Sequence, residues 1–467
     1  GNVTVGSGGV TVSGGTLRLA RSSVPFDAGV FATTTPLTIE NGATLEVAGM
    51  WNTGSANAIT VNGGTLNFTN GSGPDSENYA NNMNLANAIV TGNGIRIGND
   101  SNAQFTVTGD AGTTVDNALM LVNSGGSART LTLDVADGAA DNDMILSGVL
   151  YDFTDRGNNR IAKTGAGTLL VTGDNTFTGT VAVDGGLLVM GHQNALGAAT
   201  NALALGDVAG ATLSLGSYDL NIGSLTGGGT TGGEVALGAN TLTVGAAGAS
   251  STYAGTISGT GNLTKAGAGT LTLSGVLNHT GDTIVDGGTL ILNGGGGLAD
   301  GNLGQFGSQH TITVNSGATL AMTASWALGD GKQHTLVADG GTIDFGTAQN
   351  YQNSITLTGA KVVTATGGKP WRTGYYGGSA LITVNESDVS STISGLLCFV
   401  KAFSGGPGTT TFDVADGTAE LDLDVSSVIF DHDASLSGMV IVKDGPGAMS
   451  LSGANTFAGG VNVNAGT

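Results

Sequence analysis

Apolar side chains return at every second position in short runs along this chain, and glycine, asparagine, serine or aspartate ends each run. Residues 10–19 (VTVSGGTLRL), 37–47 (LTIENGATLEV), 59–68 (ITVNGGTLNF), 312–322 (ITVNSGATLAM) and 336–345 (LVADGGTIDF) share one plan. Two apolar residues two apart precede a polar turn, and Thr-Leu-x-apolar or Thr-Ile-x-apolar follows it. Because side chains alternate faces along a strand, Val10, Val12, Leu17 and Leu19 can share one interior while Thr11, Thr16 and Arg18 face water. The unit is a strand, a corner and a strand. No stretch carries a 3.6-residue amphipathic period with caps, so the chain is read as all-β with essentially no helix.

A longer unit lies over the short one. Residues 163–191 (KTGAGTLLVTGDNTFTGTVAVDGGLLVMG), 265–294 (KAGAGTLTLSGVLNHTGDTIVDGGTLILNG) and 443–467 (KDGPGAMSLSGANTFAGGVNVNAGT) share a lysine, Gly-x-Gly, an apolar strand, a polar turn and a second strand. Matching threonines lie 21 (Thr44 to Thr65), 23 (Thr319 to Thr342) and 19 (Thr270 to Thr289) residues apart, the length of one coil in a stacked solenoid. The three copies resemble the autotransporter-associated β-strand repeat, also called the passenger-associated transport repeat. The resemblance implies a right-handed parallel β-helix in a secreted bacterial surface protein. At about 4.8 Å per hydrogen-bonded level, roughly twenty-odd coils predict an elongated rod on the order of 100 Å long.

A third period spans both. Gly64 to Phe68 corresponds to Gly341 to Phe345 at an offset of 277, Asp134 to Gly138 matches Asp413 to Gly417 at 279, and Lys163 meets Lys443 at 280. Stacked repeats form one core of any length, so residues 1–467 are expected to form a single continuous β-solenoid. It would hold a first copy over 1–273 and an incomplete second over 274–467. The first copy gains residues around 70–84, and the second has an insertion around 367–378 (GGKPWRTGYYGG). Gly1 falls in mid-repeat and Thr467 where an apolar strand would follow, which predicts a segment of something longer.

Composition narrows the function classes. Of 467 residues, 84 are glycine without a collagen period, and the formal charge is −21. Such a surface repels nucleic acid and anionic lipid. One cysteine excludes an internal disulfide framework; Cys398, in the run LLCFV, reads as a small core residue. No apolar run of ~20 residues predicts direct membrane insertion by this segment.

Candidate chemistry is sparse. Lys369, Trp371, Arg372, Tyr375 and Tyr376 bring rings and cations together in a chain poor in both, a combination that could grip a sugar or another protein. Their alternative is to fold back over the coil beneath. Asp134, Asp137, Asp141 and Asp143 match Asp413, Asp416, Glu420 and Asp422 and could supply oxygens to calcium, but no calcium-repeat or EF-hand spacing is present, and the LDLDV run reads as a solvent face. His192, His279, His310, His334 and His432 form no metal or triad pattern. Asp431-His432-Asp433 reads as an exposed turn, the Gly-Ala-Gly-Thr turns as corners, and Asn175 and Asn455 as scaffolding asparagines. No cofactor, metal or catalytic residue is expected, and the protein is read as no enzyme.

The reading that follows is a structural or adhesive extracellular solenoid, the shaft of a bacterial surface or secreted protein whose loops touch glycans or neighbouring proteins. The first alternative is a self-assembling subunit of an extracellular fibre. The second is a polysaccharide-binding or polysaccharide-degrading β-helix.

Overall fold

The computed structural model describes residues 3–6, 9–19, 36–48, 58–69, 78–98, 102–122, 128–153, 158–294, 305–306, 309–328, 334–367, 370–374, 379–400, 408–432 and 438–467. Among them there is no helix. The chain divides into two compact units, Gly1–Ala236 and Leu237–Thr467.

In the first unit, Val3–Gly6 pairs antiparallel with Gly9–Val12, and from there neighbouring coils pair in parallel. Each coil gives one strand to each of two long sheets. The first sheet runs Gly9–Val12, Leu37–Ile39, Ala58–Asn62, Asn82–Ala86, Ala103–Thr108, Thr130–Val135, Asn159–Thr164, Gly179–Val183, Ala202–Leu205 and Ser224–Gly227. The second begins Gly15–Leu19, Ala43–Val47, Thr65–Phe68 and continues in the same order to Glu234–Ala236. Three middle coils add a further strand, Ile95–Ile97, Leu119–Leu121 and Leu150–Asp152, which form a small sheet of their own.

The alternation read from the sequence sets the register. Leu37, Ile59, Met83, Phe105, Leu133, Lys163, Val183 and Leu205 stand directly above one another, and all point inward and are buried. Each aliphatic buried this way contributes roughly 1.5–3 kcal/mol, and a slip of one residue would turn the whole row outward. Coils vary in length, from 20 residues between the paired Lys163 and Val183 to 30 between Leu133 and Lys163. The longer one contains the additional strand Leu150–Asp152.

The second unit repeats the plan. Ten parallel strands run from Leu242–Val244 to Val461–Val463 in one sheet. Nine run from Ser251–Tyr253 to Met449–Leu451 in another. Asn350–Tyr351, Trp371–Thr373, Leu396–Phe399 and Val428–Asp431 form a small sheet of their own. Both units are therefore parallel β-solenoids. The corners depend on glycine where coils touch: Gly165 has φ 75°, and a Cβ there would lie 2.3 Å from the Val135 carbonyl oxygen of the coil before.

Candidate functional site

Lys163 occupies an inward position that its neighbours in the row fill with Leu133 and Val183. Its aliphatic stem lies in the core and its ammonium reaches the corner, where Nζ donates to the carbonyls of Thr164 (2.9 Å), Gly165 (2.9 Å) and Gly185 (3.0 Å). Lys265 does the same with Ala266, Gly267 and Gly287, and Lys443 with Asp444, Gly445 and Ala465. All three lysines are 3% exposed or less. Two of each set of carbonyls belong to the lysine's own corner and the third to the next coil. Three donors meet three acceptors, which is the full capacity of an ammonium. Burial pushes the Lys163 ammonium down to about 8, with Asp134 and Asp143 opposing it; Lys265 and Lys443 are lowered by burial too. The repeated lysine was visible in the sequence, but its role was not.

Two of the carboxylates weighed for calcium, Asp143 and Asp422, join coils. Asp143 Oδ1 accepts from the Gly138 N–H and Oδ2 from that of Thr168 in the next coil. Asp422 accepts from Gly417 and Ala448 in the same pattern. Asp422 is buried rather than on a solvent face, because it stands at the turn before Leu423–Val425 and folds back on backbone donors. Among the described residues no group of acids, histidines or cysteines is placed to hold a metal ion. Asn175 bridges the Leu150 N–H and the Ala195 carbonyl of the coils on either side. It contacts neighbouring backbone and not a stack of like residues.

The segment expected to insert around 367–378 is, at Trp371–Thr373, a strand of the coil. Trp371 points inward with no exposed surface. Its ring stacks on Phe345 at 5.0 Å and 5°, and its indole N–H donates to the Gln352 carbonyl. A buried indole cannot reach a ligand, so the placement of Trp371 in a contact loop is corrected. Glycines and cations on both sides hid a simple in, out, in alternation. Arg372 faces outward and is half-buried. Lys369, Tyr375 and Tyr376 lie outside the described residues.

Arg372 belongs to a ladder on the outer face of the small sheet, in the order Tyr351, Arg372, Cys398 and Phe430. Its Nη1 donates to the Tyr351 hydroxyl at 2.7 Å, and its guanidinium lies 5.5 Å over that ring. Gln349 donates to the same hydroxyl, and Trp326 stacks on the ring at 4.5 Å. Tyr351, Cys398 and Val400 form a small second core against Trp326 and Phe430, so Cys398 is a small buried core residue, as expected. The first unit holds the counterpart, in the order Tyr79, Arg96, Met120 and Tyr151. Arg96 Nη1 donates to the Tyr79 hydroxyl at 2.8 Å and lies 5.5 Å over Tyr79 and 5.2 Å over Phe153. No one coil contains this ladder, so only pairing between coils reveals it.

Three of the histidines also meet. His310 lies 5.2 Å from His279 and 4.8 Å from His334, with Phe306 edge-on to His310. Thr283 stands between His279 (3.0 Å) and His310 (3.3 Å). Burial, with His310 beside it, pushes His279 down to about 4, so the ring is neutral at pH 7 and serves as packing.

The passenger-associated-transport-repeat family matches residues 161–190, 263–292 and 441–467, the three stretches that carry the caged lysines. The chain is 31% identical over 311 residues to the adhesin BmaC autotransporter of Brucella suis biovar 1 (strain 1330). That alignment covers 65% of this chain and 8% of the adhesin, so the chain spans less than a tenth of that relative's length. No solved structure matches the chain. By its coils and by its repeats, this protein is a β-solenoid that carries three passenger-associated transport repeats.

Proposed function

We propose that this chain is an adhesive segment of an extracellular, cell-surface passenger, a non-catalytic scaffold whose outer faces contact surface glycans or neighbouring proteins. The observation that carries the reading is the 311-residue similarity to an autotransporter adhesin, which extends well beyond the three repeats. The architecture supports it. Inward side chains and hydrogen bonds between coils build the units, which leaves outward positions and corner loops free to vary. Among the described residues no helix is long and apolar enough to cross a membrane. The formal charge of −21 disfavours nucleic acid as a partner.

The test is adhesion itself. Beads coated with the purified segment should bind cultured host cells or deposited matrix well above beads coated with an unrelated acidic protein, and soluble segment should compete. Equal attachment of both bead types would overturn the proposal. Filaments growing from the purified segment in negative-stain images, without adhesion, would favour the fibre reading in its place.

A further inference from the structure

Cations are scarce in this protein, 14 against 35 carboxylates, yet three described arginines are in no ion pair, and two of them, Arg96 and Arg372, stand in the aromatic ladders while Arg129 lies outside them. Among the described residues the arginine ion pairs are Arg18 with Glu46 and Arg160 with Asp184; none involves Arg96 or Arg372. Both guanidiniums are half-buried, Nη1 of each is committed to a tyrosine hydroxyl, and Nε of each is buried with no hydrogen-bond partner. A cation taken partly out of water is ordinarily matched by an anion, because the desolvation otherwise goes uncompensated. The same arrangement occurs once in each unit, on equivalent rungs, flanked by half-buried rings: Tyr79, Tyr151 and Phe153 in the first, Trp326 and Phe430 in the second. Trp326 is held at φ 64°, a conformation rare for a bulky residue and maintained only where its surroundings enforce it.

We infer that each ladder is a binding site for an acidic glycan, with Arg96 and Arg372 receiving the carboxylate of a uronic-acid-type sugar and the adjoining rings covering the sugar's apolar face. With Nε closed off and one Nη1 hydrogen given to the tyrosine, the Nη1–Nη2 edge is the one left to meet a planar carboxylate bidentately, and aromatic faces offer the flat apolar contact a pyranose presents. Tyr79 and Tyr351 are positioning residues that hold the fork. The inference deepens the adhesive reading and rests on it.

Calorimetric titration of the intact chain with an oligogalacturonate tests it. The expected result is saturable, salt-sensitive binding at two sites. Full methyl esterification of the same oligosaccharide should abolish it, and dextran sulfate should bind more weakly. Arg96→Gln and Arg372→Gln should each remove one site and the double variant both. Either Arg→Lys change should weaken its site about ten-fold by losing the fork. Circular dichroism checks that the variants fold; if one does not, the ester comparison on the unmodified chain still decides. No binding, equal binding of the ester, tighter binding of dextran sulfate, or binding retained in the folded double variant would overturn the assignment. Cell adhesion without oligogalacturonate binding would sink this site alone. Beads that fail to adhere would sink the adhesive reading, whatever the titration shows.

Discussion

At the scale of single residues, the three caged lysines show how a charge is accommodated inside an apolar row. Lys163 stands where Val183 stands one coil later, and it is tolerated because its three protons meet three corner carbonyls. Lys163→Met keeps the stem and removes every donor. Relief of desolvation offsets part of the loss, but three carbonyls without partners, at about 1 kcal/mol net each, outweigh it. The variant is expected to be less stable by about 2 kcal/mol in urea unfolding; an unchanged midpoint would show that the cage is incidental. His279 carries the opposite lesson, a titratable group kept neutral. Its folded pKa of about 4 lies below the ordinary histidine value of 6.5, so the unfolded chain binds the proton first as pH falls. This contribution to stability is full above pH 6.5, is lost on the way down to pH 4, and amounts to about 3 kcal/mol at most. His279→Phe should flatten that part of the stability profile, measured as urea midpoints from pH 7 to 4. A variant with the parent's slope would place the effect elsewhere.

At the scale of elements, what was legible followed from strict alternation. Val10 and Val12, or Leu290 and Leu292, announce strands with one buried face, and the structure buries them. Legibility failed where a residue's partners come from another coil. Asp422 alternates with Leu421 and Leu423 as a solvent residue would, and only the Ala448 N–H of the next coil explains its burial. Trp371 looked like a loop residue because its neighbours are glycines and cations. The better cue was its match to Ile95, which begins the equivalent strand Ile95–Ile97 in the first unit. Arg372 stood out in the sequence as a candidate contact, but Tyr351, the hydroxyl it donates to 21 residues earlier, did not. Lys163 was seen to recur and given no role, because lysine is ordinarily a surface residue. In each case the missing information was the register between coils, which a linear pattern does not contain.

At the scale of the whole molecule, that register makes the chain divisible. Lys163 pairs with Val183 and Ala162 with Ala182, while Leu169 pairs with Met144 below and Leu188 above. Removing residues 163–182 therefore joins Ala162 to Val183 with every later side chain on its original face, and Leu188 comes to rest on Met144. One lysine cage and one Asn175 bridge are lost, but the interface between the remaining coils has the same apolar rows. In a solenoid, stability is close to a sum over coils and their interfaces, so this deletion should fold, keep a strand-dominated circular dichroism spectrum and melt cooperatively slightly below the parent. Removing residues 163–181 differs by a single residue. It places Val183 where Thr164 faced out, which forces a bulge or turns the following row toward water, and it should lose the cooperative transition. If the two deletions melt alike, the coils are held by something other than inward rows in register.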